Sequence, residues 1–150
     1  MNRLQILTLC FCSLVITLIS CSHRHDDIYG KWELPTAYPP GGGQSTEIFE
    51  FNKNGILTIT SSSVREESIV ECTITCDYTY EDNTIKYRIS PENISYTKLE
   101  GFSQEQIDFM KGFNRGRLCN SEMILDNVKI EGNKLKANIG NGQITFKRLD

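Results

Sequence analysis

From Ile28 onward, apolar residues recur at every second position, in runs separated by turn-forming residues. The longest run sets Val70, Cys72, Ile74, Cys76, Tyr78 and Tyr80 against Glu71, Thr73, Thr75, Asp77, Thr79 and Glu81. A period of two belongs to a strand with one face buried and the other wet. Ile85, Tyr87 and Ile89 alternate in the same way with Thr84, Lys86 and Arg88, and Leu135, Ala137 and Ile139 with Lys134, Lys136 and Asn138. Between the runs stand Lys53-Asn54-Gly55, Glu81-Asp82-Asn83, Glu131-Gly132-Asn133 and Gly140-Asn141-Gly142, which contain residues that accept the positive φ of tight hairpins. Strands joined by such turns are antiparallel neighbours. The pattern predicts eight or nine strands, enough to close on themselves and remove the exposed edges of an open sheet. The predicted fold is therefore all-β: a small up-and-down antiparallel β-barrel with one short inserted helix. Met123 to Ile130 alternates poorly, and the loop Pro35 to Ser45, with Pro39-Pro40-Gly41-Gly42-Gly43, is expected to cross one mouth of the barrel.

One segment follows a helical period. Ser103 stands where an N-cap would, with Gln106 three residues later and Phe102 and Ile107 flanking it, the signature of a capping box and hydrophobic staple. A helix is predicted from Ser103 to about Asn114, with Gly116 as its terminator. Phe109 and Phe113 fall four apart, with Ile107 and Met110 close by, giving an apolar face to bury. Such a helix would serve either as a lid over a cavity or as a plug in one barrel end.

The pattern is different before Ile28. Ile6 to Ile19 is almost continuously apolar, follows Arg3, and is too short for a comfortable membrane span, so it predicts a removable signal peptide over residues 1–20. Its end, Leu18-Ile19-Ser20-Cys21, resembles the lipobox of bacterial lipoproteins. That resemblance implies cleavage before Cys21, acylation of Cys21 (thioether-linked diacylglycerol and an amide-linked chain such as palmitate), and a protein anchored to a membrane of the cell envelope, expected to be the outer membrane. Residues 21–27 are short and polar, suited to a tether, and residues 28–150 form one domain. His23 and His25 in the tether could ligate a metal only weakly, and no metal or cofactor is predicted.

Removing Arg3 with the leader takes the formal net charge from −3 to −4. Nucleic acid, which demands a basic face, is excluded as a partner on this ground. Of six cysteines, Cys10 and Cys12 leave with the leader and Cys21 is the lipid site, so Cys72, Cys76 and Cys119 remain. Cys72 and Cys76 on one strand would stand roughly 13 Å apart, beyond the limit of about 7 Å for a disulfide. The expected bridge joins one of them to Cys119, with one thiol left over. A thiol-based zinc site is disfavoured because no histidine follows His25.

Ile28-Tyr29-Gly30-Lys31-Trp32 resembles the Gly-x-Trp opening strand of lipocalin-like proteins, and Phe49 to Ile59, with Asn133 to Leu135 and Ile144 to Leu149, is similar to the second hairpin and the closing strands of small lipocalin-like domains in bacterial lipoproteins. The resemblance implies structural roles for Gly30, Trp32 and Arg148, with Arg148 packing on the Trp32 ring. It also implies a non-enzymatic protein that binds a small apolar or amphipathic ligand. Tyr78, Tyr80, Tyr87 and Tyr96, apolar with a polar handle, are the candidate lining. The alternative is an envelope protein-interaction module, an inhibitor, immunity-type or accessory lipoprotein, with a filled barrel. Catalysis is not expected. There is no histidine after His25 to act as base, no nucleophile elbow and no phosphate loop, and Glu66-Glu67 and Asp26-Asp27 would point apart on extended chain.

Overall fold

The computed structural model describes residues 26–35, 43–119 and 121–150. The predicted leader, Cys21, His23, His25, most of the tether and the centre of the Pro-Gly loop lie outside the described residues. A 3-10 turn at Asp26–Ile28 leads into nine strands: β1 Gly30–Pro35, β2 Gln44–Phe51, β3 Ile56–Arg65, β4 Ser68–Glu81, β5 Thr84–Arg88, β6 Ile94–Glu100, β7 Glu122–Glu131, β8 Lys134–Ile139 and β9 Gly142–Leu149. One helix, α1, spans Gln104–Leu118 between β6 and β7. Every strand pairing is antiparallel.

Eight strands close in the order β3-β2-β1-β9-β8-β7-β5-β4, with β4 pairing back onto β3. The barrel predicted from the alternation is thus the one observed. Its departure from a simple up-and-down meander is β6. Along one edge β4 pairs with β3 over Ser68 to Asp77, and along the other first with β6 and then with β5. β6 therefore prolongs the line of β5 beside β4 after a break, and the Asn93 side chain donates to the Thr75 carbonyl across that break. β7 pairs with β5 and β8 but not with β6, so β6 is paired to the barrel through β4 alone.

The turns behave as their residues dictate. Asp82 and Asn83 both take positive φ, 49° and 59°, in the two-residue β4–β5 connection. The poor alternation in β7 is a bulge: register slips between Asp126 and Lys129, Asn127 has φ 54°, and the buried positions Leu125 and Val128 fall three apart instead of two.

The end of the barrel that holds these hairpin turns, here called the lower end, is tightly filled. Trp32, Phe51, Leu57, Ile85, Leu125, Leu135 and Phe146 are each at most 1% exposed. Phe49 meets Phe146, and Phe51 meets Tyr78, edge to face at 5.1 Å. Arg148 lies 4.4 Å from the Trp32 ring centre, directly opposite it across the β1–β9 pair. The indole Nε1 donates to the Ile28 carbonyl at 2.7 Å, and the Arg148 guanidinium donates to the Asp27 carbonyl. These contacts fasten the Asp26–Ile28 turn across the barrel floor, with Ile28 1% exposed.

Two expectations require correction. Cys72, Cys76 and Cys119 are all free thiols. Cys119 bridges to Ile89, and the Tyr78–Tyr87 register carried on by two residues sets Ile89 beside Cys76. Ile89 therefore stands between the two cysteines, and two strand spacings, about 9.5 Å, exceed the span of a disulfide. The helix also runs through Gly116 to Leu118 and buries no phenylalanine face: Phe109 is 75% and Phe113 53% exposed. The capping box at Ser103 and Gln106 does form, which fixes where the helix starts. It does not decide what the helix packs against.

Candidate functional site

Residues directly paired across neighbouring strands share a face, so the register defines rows around the barrel wall. Trp32, Phe49, Ile59, Ile74 and Ile94 form one inward row, wholly apolar and mostly buried. Two residues farther up each of the first four strands, with the partner on β6, lies the row Leu34, Glu47, Ser61, Cys72 and Tyr96. Above that come Ser45, Ser63, Val70 and Leu99. Both upper rows are only half-buried although they point inward. The interior therefore changes within one row from a sealed apolar core to a mixed cup open to water.

Glu47 is the charged member of this cup. Its inward direction follows from the register, which sets it on the same face of β2 as Phe49, and its charge adds to burial in raising the Cys72 thiol on β4 and, with Cys76, the Tyr87 phenol on β5. In both cases burial is the larger cause. Burial also raises the Glu47 carboxyl above its ordinary value. Among the described residues the ion pairs are Lys31–Glu50, Lys98–Glu100 and Lys136–Glu131, so Glu47 has no cationic partner there.

The four tyrosines do not converge on one cavity. Tyr78 is 9% exposed, donates to the Asn52 carbonyl at 3.0 Å, and belongs to the sealed core, where burial, aided by Tyr29, pushes its phenol up to about 12. Tyr87 pairs with it across β4–β5 and is 6% exposed. Tyr80 packs at the lower end and borders an outer cleft of about 390 Å³ with Asp27, Asn83, Val128 and Lys129. Tyr96 alone belongs to the upper cup. Its hydroxyl accepts from Asn114 Nδ2 at 3.0 Å, and Lys111 Nζ stands 5.6 Å from its ring centre, so α1 touches the rim here.

The cysteines divide likewise. Cys76 is buried in the core, and desolvation, with Asp77 adding, pushes its thiol up to about 11. A thiol so held is protonated at neutral pH and is a poor nucleophile. Cys72 lies in the cup and is also raised, by burial and by Glu47. Cys119 is buried against Ile89. Gly30 takes φ 117° where the chain enters β1, and Arg148 packs on the Trp32 ring at the lower end.

Glu47 is the residue that reading the sequence missed. Stepping by two from Phe51 through Phe49 leads to it, so the alternation contained the signal, but a carboxylate in an inward position interrupts an apolar stripe. No group of three or more potential metal ligands occurs among the described residues. On the outer side of α1, Phe102, Glu105, Gln106, Phe109 and Met110 border a shallow, mainly apolar cleft of about 420 Å³. No helix among the described residues is long and apolar enough to cross a membrane. Neither a protein-family model nor a curated protein sequence matches the chain.

Proposed function

We propose that this chain is a membrane-anchored, lipocalin-like lipoprotein of the bacterial cell envelope, held at the outer membrane through lipid on Cys21. It binds a small apolar or amphipathic molecule in the upper cup of its barrel and does no chemistry on it. The observation that supports this most is the change in the inward rows. A barrel serving only as scaffold has no need of half-exposed Glu47, Ser61, Cys72 and Tyr96 above an apolar floor of Phe49, Ile59 and Ile74. Apolar walls with a few polar groups at one end are what amphipathic ligands require. The raised thiols fit binding better than nucleophilic catalysis.

The lipid anchor rests on Leu18-Ile19-Ser20-Cys21 and the apolar run before it. Mass spectrometry of the protein from native membranes should give a diacylglyceryl-modified N-terminal Cys21. An unmodified, uncleaved N-terminus would rule the anchor out. For the cup, native mass spectrometry and displacement of a lipophilic dye should reveal a bound small molecule. If nothing copurifies and no dye binds, the ligand reading is wrong.

A second reading, a protein-interaction module, draws on Phe109 and Phe113, which stack on each other at 6.3 Å while largely exposed on α1. Crosslinking in intact cells followed by pull-down separates the two readings, since recovery of the lipoprotein alone counts against a partner.

A further inference from the structure

We infer that the ligand of the upper cup is an amphipathic organic cation, with its amine or guanidinium head against Glu47 and its apolar part against the half-buried Leu34, Val70 and Leu99 of the two upper rows. This rests on the ligand-binding reading above and narrows it to one class of charge.

The first argument is placement. Glu47 is fixed at mid-strand by pairs on both sides, Leu34 on β1 and Ser61 on β3, and shares its face with Phe49 and Phe51. It cannot turn to the outer surface without moving the whole of β2 out of register. A carboxylate held in this way loses part of its hydration and must be protonated or compensated.

The second argument is what surrounds it. The neighbours along its row are an alkyl group, a hydroxyl, a thiol and a phenol, from Leu34, Ser61, Cys72 and Tyr96. Across the interior it faces the Tyr87 phenol. Cys72 and Tyr87 are both held in their neutral, protonated forms. None of these groups carries positive charge. Of the basic side chains at this end, Lys111 on α1 stands over the Tyr96 ring, and neither it nor Arg65 at the end of β3 makes an ion pair with Glu47. The barrel thus places one partly desolvated negative charge above an apolar floor, and among the described residues none forms an ion pair with it. An incoming cation with an apolar tail would satisfy both halves of the cup. An anionic amphiphile such as a fatty acid would set like charge against Glu47.

The test is displacement of the neutral dye N-phenyl-1-naphthylamine from the full-length chain at neutral pH. The competitors are dodecylammonium, dodecanol and dodecanoate, all below their micellar concentrations. Dodecylammonium should compete best and dodecanoate worst. Glu47→Gln should weaken dodecylammonium by about 10- to 100-fold, the range for losing a charge-assisted hydrogen bond, and leave dodecanol unchanged. Lys111→Ala should leave dodecylammonium as tight or tighter. Thermal melts of both variants check that the barrel is intact. Equal competition by all three amphiphiles, unaltered by Glu47→Gln, would overturn the charge assignment and leave the ligand-binding reading standing. Strongest competition by dodecanoate, lost in Lys111→Ala, would reverse the assignment to an anion held by α1. Failure of the dye and every amphiphile to bind would remove the ligand-binding reading and this inference with it.

Discussion

The lower and upper halves of the barrel are made by the same strands but are held in different ways. Below the row of Trp32 and Phe49, inward side chains fill the space, and a cation–aromatic contact with two hydrogen bonds ties the entering chain across the floor. Above it, polar Glu47, Ser61 and Ser63 are mixed with apolar Leu34, Val70 and Leu99, all half in water, and the strands are held by backbone pairing and close turns. One alternating pattern can therefore encode a core in one half of a strand and a recognition surface in the other. The change is in which residues occupy the inward positions, since the period of two continues unbroken through Phe51, Phe49, Glu47 and Ser45.

The strongest test of this contrast is Trp32→Ala. The indole is completely buried, and its removal also takes away the hydrogen bond to Ile28 and the ring beneath the Arg148 guanidinium. A loss of about 3–5 kcal/mol is expected from the cavity alone. Urea unfolding measures it, and a loss below about 1 kcal/mol, the size of an ordinary substitution, would show that the lower half is not the stabilising core.

In the upper half a comparable single-site effect must come through the backbone. Gly101, at φ 75°, lies where β6 turns toward α1, and a Cβ there would meet the Glu67 carbonyl oxygen at 2.5 Å and the Ser68 Cα at 2.9 Å. Both contacts are with backbone, which cannot swing aside. Gly101→Ala should cost about 1–3 kcal/mol, less than Trp32→Ala, through forced positive φ and displacement of the β3–β4 turn. A neutral result in the same unfolding assay would mean that this junction is free to move.

Much of the sealed half was legible in the sequence because burial there enforces strict alternation. The strands and the hairpin turns follow from periodicity and turn chemistry. The open half was less legible for physical reasons. A half-wet inward face tolerates Glu47, Ser61 and Ser63, which read as outward residues. The separation of β6 from β5 depends on a break at Ile89 to Asn93 whose consequence is set by pairing with β4. The disulfide expectation failed because cysteine count and compartment do not reveal that Ile89 lies between Cys76 and Cys119. For α1, the capping box fixes the start of the helix, while the exposure of Phe109 and Phe113 depends on where the barrel ends.

Glu47→Gln tests the open half in the opposite direction, since it should stabilise the protein without ligand. Burial holds the Glu47 pKa above its ordinary value, so the folded protein retains a proton that the unfolded chain has released. Stability contributed by this site is greatest below the ordinary carboxylate value and declines as pH rises through the folded value. Glutamine cannot ionise, so the variant should melt above the parent at neutral pH and level with it in acid. The gain should be below about 1 kcal/mol because the side chain remains partly in water. Melting temperatures across pH 3 to 8, roughly the span over which carboxylates titrate, give the comparison. A variant less stable than the parent at neutral pH would mean that the carboxylate is compensated within the folded chain.

The smallest effect is expected from the pair that the helical pattern singled out for burial. Replacing Phe109 and Phe113 together by serine removes two aromatic rings that stand mostly in water on α1. Two phenylalanines inside the barrel would cost about 3–5 kcal/mol each when truncated. Here the change should stay within about 0.5 kcal/mol, as for surface substitutions, because both rings are already more than half exposed and little buried apolar area is lost on mutation. The contrast with Trp32→Ala in one denaturation series places the stabilising apolar surface in the lower barrel. A loss of several kcal/mol in the double variant would show instead that α1 is clamped onto the protein in solution by these two rings. Retained stability together with loss of a crosslinked partner would assign them to binding outside the fold.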